Sequence, residues 1–185
     1  MTSNTLDIPG YKAGTWVLDP SHSEVAFSVR HMMISKVRGG FGIKSATLVA
    51  PENPLEASLT ASVDATSLST KDEGRDQHLR SADFFDVETY PTIDFASTGV
   101  RVEDGDFLVD GDLTIRGTTK PVTFEVDFGG FGSDPWGNYK AGATAKTVIN
   151  REDFGLTWNA ALESGGVLVG KDVTITLDLQ GAHQA

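Results

Sequence analysis

Four stretches of this chain alternate apolar and polar residues with a period of two, and that alternation limits the fold more than any other feature. Val173, Ile175, Leu177 and Leu179 stand against Asp172, Thr174, Thr176, Asp178 and Gln180. Val122, Phe124, Val126 and Phe128 oppose Thr123, Glu125 and Asp127, and Val25, Phe27, Val29 and His31 oppose Glu24, Ala26, Ser28 and Arg30. Leu55, Ala57, Leu59, Ala61 and Val63 alternate with Glu56, Ser58, Thr60, Ser62 and Asp64. Successive strand side chains point to opposite faces, so each segment has one apolar and one wet face. Many such strands and little helix predict an all-β fold, an antiparallel sheet wrapped around its own interior.

Turn signals divide the rest. Asp19-Pro20-Ser21, Gly39-Gly40, Pro51 with Pro54, Asp104-Gly105, Gly117 with Pro121, and the loop 134–138 punctuate strands expected over 15–18, 24–33, 41–50, 55–63, 92–98, 100–103, 106–115, 122–128, 139–149 and 173–180. One helix is predicted over 71–85, capped by Ser69 or Thr70 and ended by Tyr90-Pro91. Residues 151–171 are Gly-rich and read as irregular. Eight to ten strands match a closed barrel of the size that holds one small ligand. Residues 1–13 are expected to form a flexible N-terminal segment and 14–181 the barrel domain.

Small inward residues bear on what the barrel contains. Ala141, Ala143, Ala145 and Thr147 share a face, as do Ala57 and Ala61, where other strands carry Phe, Val or Leu. They either leave space in the middle or fit the taper of a packed interior.

Charge and composition exclude several classes. A net charge of −11 over 185 residues opposes nucleic-acid binding and simple electrostatic attachment to anionic membranes. No run reaches the roughly 18 apolar residues of a membrane helix, so stable insertion is not expected. Cysteine is absent, which removes disulfides, thiolate zinc sites and Cys nucleophiles. Residues 1–10 contain Asp7 and lack a basic segment followed by an apolar one, so no leader is expected and the chain reads as cytoplasmic.

Few residues invite chemistry. The histidines are His22, His31, His78 and His183, without metal-ligand spacing. His31 is in phase with inward residues, as a donor to a ligand head group or as a core histidine satisfied by a neighbouring carbonyl or Ser. Ser21 and His22 lack a nucleophile-elbow motif, and on a strand they would face opposite ways. Asp104, Asp106, Asp110 and Asp112 read as hairpin residues rather than a calcium loop. Arg75-Asp76-Gln77-His78-Leu79-Arg80 with Phe84-Phe85 reads as a pocket lid or as an amphipathic helix pinned by its Phe residues. Arg151 reads as an anion clamp or a structural ion pair. An unpaired strand edge, or an exposed apolar loop such as 136–139 with Trp136, would support a homodimer.

The longer strings form a set. Trp16-Val17-Leu18-Asp19-Pro20-Ser21-His22-Ser23, His31-Met32-Met33-Ile34-Ser35-Lys36-Val37-Arg38-Gly39, Arg75-Asp76-Gln77-His78-Leu79, Phe84-Phe85-Asp86-Val87 with Tyr90-Pro91, Gly111-Asp112-Leu113-Thr114-Ile115-Arg116-Gly117 and Asn150-Arg151-Glu152-Asp153-Phe154-Gly155 follow in order from 14 to 180. Together they resemble the YceI family of lipocalin-like, polyisoprenoid-binding proteins. The resemblance implies a lipocalin-like extended antiparallel barrel with one short helix capping or flanking it. It also implies an apolar channel for an isoprenoid chain, a quinone tail or a fatty-acyl chain, and binding rather than catalysis. Many family members are exported to the periplasm; no leader is expected in this chain, although a mature form that had lost one would read the same way. A pyrophosphate head group would need local cations, with Arg75, Arg80, Arg116, Lys120 and Arg151 as candidates.

The expected function is therefore carriage or sequestration of a long-chain amphipathic lipid, with no other cofactor and no metal. Phe27, Val29, Phe41, Phe95, Leu113, Ile115, Phe124 and Trp158 are the expected channel wall, and His31, His78 and Arg151 the expected mouth or head-group contacts. The rival readings are an enzyme in the same cavity, with His31 or His78 as acid–base and Asp76 as partner, and a packed barrel acting only through its surface.

Overall fold

Backbone amides and carbonyls along a strand need partners on both sides, and this chain supplies them by closing its sheet. The computed structural model describes residues 8–160 and 168–184. Among these, the strands are β1 (Gly14–Leu18), β2 (Glu24–His31), β3 (Ser35–Ala50), β4 (Ser58–Ser69), β5 (Thr92–Glu103), β6 (Asp106–Ile115), β7 (Thr118–Ser133), β8 (Tyr139–Asn150) and β9 (Val169–Gln184), with one α-helix, α1 (Glu73–Arg80). All neighbours are antiparallel, in the order β1-β3-β2-β9-β8-β7-β6-β5-β4, and β3 pairs again with β4 to close the ring.

β1 and β2 occupy one lane. β1 lies between residues 47–50 of β3 and 181–184 of β9, and β2 lies between residues 35–41 of β3 and 169–178 of β9. A 3-10 turn, Pro20–His22, joins them, begun by Asp19, whose side chain accepts the Ser21 amide. The product is a closed barrel of eight lanes.

Inward phase follows the alternation read from the sequence. Val25, Phe27, Val29 and His31 of β2, Leu59, Ala61 and Val63 of β4, and Val173, Ile175, Leu177 and Leu179 of β9 all face the interior. In β7 the register shifts between Phe128 and Gly130, so Phe131 faces inward as Phe128 does. One extra residue at a bulge reverses the parity beyond it.

Several boundaries differ from expectation. β3 begins at Ser35 and runs through Gly39-Gly40, which the sequence places at the opening of a strand over 41–50. The physical reason is Phe27: a Cβ at Gly39 would lie 2.5 Å from its Cζ. β7 passes through Pro121, and β5 is one strand across Gly99, with a register shift. The helix is shorter than expected. Its N-cap is Asp72, which accepts the Arg75 amide at 3.1 Å, rather than Ser69 or Thr70. It ends at Arg80 because Ser81 Oγ donates to the His78 carbonyl, and Phe84 and Phe85 fold back under it. Residues 8–13 lie against the barrel: the Tyr11 hydroxyl donates to the Pro51 carbonyl at 2.6 Å, and Tyr139 donates to the Gly10 carbonyl.

The two ends of the barrel are built differently. At the end that carries α1, Phe84, Leu113, Ile115, Ile149, Phe154 and Leu156 form the buried core. At the other end, Trp16 meets Phe131 edge-on at 5.9 Å and His183 at 5.1 Å, and Phe131 stacks on Phe128 and Tyr139.

Phe154 is 2% exposed in the 3-10 turn Arg151–Phe154. Phe154→Ala is expected to cost about 3–5 kcal/mol through lost burial and the cavity left behind. Urea denaturation should show a lower midpoint at unchanged slope.

Candidate ligand cavity

The barrel encloses a cavity of about 450 Å³ whose walls are almost entirely apolar side chains from every strand. Space arises where the sequence places small residues: Ala46 of β3, Ala61 of β4, and Ala141, Ala143 and Ala145 of β8. Thr147, on the same face as those alanines, does not border it, whereas Ile149 does. The interior is hollow rather than filled to a taper.

All eight expected wall residues border the cavity, and so do His31, His78 and Arg151. The aromatic walls pack on one another: Phe27 on Phe41 at 5.5 Å, Phe41 edge-on to Phe85 at 5.4 Å, and Phe95 edge-on to Phe124 at 5.4 Å. Sequence reasoning missed Ile8, Tyr11 and Phe131. Ile8 and Tyr11 precede any periodic segment, and Phe131 lies beyond the bulge, so alternation carried no signal for them.

The polar lining gathers at the α1 end. Arg30, His31, Arg75, His78 and Arg151 border the cavity there, with Asp94 the one acid among the described residues, in a chain that is strongly acidic elsewhere. His78 is placed by α1. Its ring lies edge-on to Trp158 at 4.6 Å and to Phe84 at 5.2 Å, and Nε2 is 2.9 Å from Asp83 Oδ2. Its carboxylate partner is thus Asp83 and not Asp76. Asp76 is buried and accepts the amide and the hydroxyl of Thr70, at 2.8 and 2.5 Å. That pair, with Arg75 donating to the Thr70 oxygens, ties the helix to the end of β4.

Arg151 is neither the anion clamp nor the ion pair that its sequence context suggests. It is 3% exposed, and its guanidinium donates to the carbonyls of Gly170 (2.7 Å), Leu156 (2.6 Å), Trp158 (3.0 Å) and Val169 (3.3 Å). The planar fork joins the loop after β8 to the start of β9. Burial lowers its pKa from the usual value, with Glu152 opposing the shift. Of the other suggested cations, Arg80 and Arg116 are similarly engaged. Arg80 donates to the Leu68 carbonyl and Arg116 to the Phe84 carbonyl, while Lys120 lies in a separate polar groove beside Asp110 and Asp153.

Ser21 and His22 lie on the 3-10 turn rather than on a strand, so they touch. Ser21 Oγ is 3.1 Å from His22 Nδ1, and both bind Asp19, at 2.6 and 2.8 Å. Ser and Asp therefore share one imidazole nitrogen, which is not the relay that a serine nucleophile requires. The group is exposed and caps a turn. Asp104-Gly105 forms a hairpin turn with both residues left-handed, and Asp110 pairs with Arg101 at 2.8 Å.

Comparison with known proteins agrees with this architecture. The model of the YceI-like domain matches residues 16–181. The UPF0312 proteins of Staphylococcus aureus strains MSSA476 and MW2 are 38% identical over 160 residues, which is 85% of this chain and 91% of theirs. Burkholderia cenocepacia BcnA shares the fold with a TM-score of 0.75 at 23% identity, over 88% of this chain and 98% of its own. A polyisoprenoid-binding domain from Saccharophagus degradans does so with a TM-score of 0.69 at 14% identity, over 91% and 98%.

Two predictions follow from these contacts. Arg151→Met leaves several buried carbonyls without a donor, at roughly 1–3 kcal/mol for each that water cannot reach. The expected result is a loss of at least about 3 kcal/mol in urea unfolding, with faster amide exchange in 168–172. Asp19 is held at a pKa of about 2 by hydrogen bonds from Ser21 and His22. A depressed carboxylate stabilises the fold above its unfolded value near 3.9, and that contribution disappears as pH falls from there through about 2. Carbon-detected NMR of the Asp19 carboxyl should give a midpoint near the lower value, and Ser21→Ala should raise it.

Proposed function

The chain belongs to the family of YceI-like domains, and on the strength of the cavity inside its barrel we propose that it binds a long-chain amphipathic lipid and carries or sequesters it without converting it. The observation that carries this reading is the pairing of an apolar interior of about 450 Å³ with basic side chains that border it at the α1 end. The volume lies in the roughly 300–1,000 Å³ range of small-molecule sites. Burying ten methylenes contributes about 8 kcal/mol at about 0.8 kcal/mol each, which corresponds to micromolar affinity before ordering costs.

The orientation follows from the two ends. The tail lies along the alanines of β8 toward the aromatic cluster around Trp16, and the head group meets His31, His78 and Arg75 beneath α1. Of the head-group residues expected from sequence, Arg151 is spent on carbonyls, so its contribution is to hold the rim. The Saccharophagus degradans domain is described as polyisoprenoid-binding, which favours an isoprenoid over an acyl chain.

His78 beside Asp83 gives the catalytic alternative its specific geometry. His78→Gln separates the two readings: a carrier loses only the head-group part of its lipid affinity and has no turnover to lose, whereas an enzyme loses turnover while lipid still binds.

Ala143 faces the cavity midway along β8, opposite Phe128 of β7 and Leu179 of β9 in register. Ala143→Trp fills the path of the chain and is expected to weaken binding of cis-parinaric acid, a fluorescent polyene, at least about ten-fold. The strain it adds is about 1–3 kcal/mol, which a thermal melt reports separately. Absence of saturable binding to the native protein, by this probe and by a polyprenol competing with it, would remove the carrier reading.

A further inference from the structure

Residues 25–50 hold four of the fifteen Lys and Arg residues and none of the 26 Asp and Glu. Three of these cations, Arg30, Lys36 and Arg38, are exposed on the β2–β3 hairpin. Arg30 stands directly across the ladder from Lys36, where like charges repel. Among the described residues no ion pair relieves any of the three.

The hairpin tip adds two further unfavourable features. Met32, Met33 and Ile34 are 43, 59 and 80% exposed, a contiguous apolar tip rather than scattered residues. Met32 and Met33 are both left-handed, with φ of 54° and 61°. A two-residue turn of that kind is cheapest with Asn-Gly, and strained non-glycine residues concentrate where a structure uses them. The tip also overhangs: the β4 ladder reaches β3 only at Gly40, so residues 35–39 have a strand partner in β2 alone.

Repelling cations, exposed apolar side chains and a strained turn coincide within nine residues. A surface that is apolar within and anionic at its edge answers the first two together. We propose that the β2–β3 hairpin tip docks on an anionic lipid bilayer, with Met32, Met33 and Ile34 entering the interface and Arg30, Lys36 and Arg38 against the lipid phosphates. The inference rests on the lipid-carrier reading, because His31 at the base of this tip borders the cavity and docking brings that end to the source of the chain. The expectation drawn from net charge treats the surface as uniform. Screening over about 8 Å at physiological salt lets the local cations act apart from more distant acids.

The test is flotation of the full chain with phosphatidylcholine vesicles, with and without about one-third phosphatidylglycerol. The native chain is expected to float with the anionic vesicles and not with the neutral ones. Lys36→Gln with Arg38→Gln should weaken this roughly 25-fold, about five-fold per cation, and high salt should act in the same direction. Met32→Asn with Met33→Gly and Ile34→Ser should weaken it at least about ten-fold while the melting temperature holds or rises, since the turn is then unstrained. Docking is overturned if the native chain stays unbound at low salt, if neutral vesicles bind it equally, or if the tip variant floats as well as the native chain. Binding of cis-parinaric acid in vesicle-free buffer is read in parallel. Probe binding without flotation overturns docking alone, whereas tip-dependent flotation without probe binding supports docking and overturns the carrier reading.

Discussion

The ladder between β3 and β4 is the interaction on which the rest of this molecule depends. Eight residue pairs, from Gly40 with Ser69 to Val49 with Ser58, turn an open sheet into a ring. Without it the chain would present two unpaired edges and an apolar face in water, the arrangement that sheet proteins avoid. With it, one set of alternating side chains is shut inside, and the other, carrying most of the acids, is solvated. Closure also sets the internal width, so side-chain volume alone decides whether the interior is solid or hollow. At the α1 end Phe84, Phe154, Leu156 and their neighbours pack into a core that borders the cavity; along β8 the alanines leave the space open.

Closure alone does not hold the rim, because the connections at the α1 end lack ladder partners. Two buried polar groups do that work. Asp76 gathers the amide and hydroxyl of Thr70, and Arg151 gathers four carbonyls from the chain on either side of residues 161–167. Both are charged groups whose partners are backbone or hydroxyl dipoles rather than opposite charges. The resulting rim is fixed while its outer cations stay accessible, a division that suits the proposed carriage of an apolar chain.

Much of the fold was legible in the sequence because alternation reports directly on which face is buried. The β2, β4, β7 and β9 phases follow from it, and eleven residues chosen by phase and family resemblance all border the cavity. What was not legible depends on tertiary partners. Gly39 reads as a glycine at a strand's start until Phe27 is seen to need its missing side chain well inside the strand. Phe131 lies beyond a bulge, so the alternation up to Phe128 says nothing of which way it faces. Asp76 and His78 look like a pair in sequence, but the end of α1 gives His78 to Asp83. Arg151 is the sharpest case, since no local pattern distinguishes a guanidinium aimed at a ligand from one aimed at carbonyls five to nineteen residues away.

The central claim is that the hollow interior exists to hold a long apolar chain. Mass spectrometry of an organic extract from natively purified protein tests it most directly, because a ligand buried this way should survive purification. A stoichiometric isoprenoid, quinone or acyl species is the expected result, and its mass would identify the head group. A clean extract, together with no thermal shift on adding prenols or fatty acids, would contradict the claim.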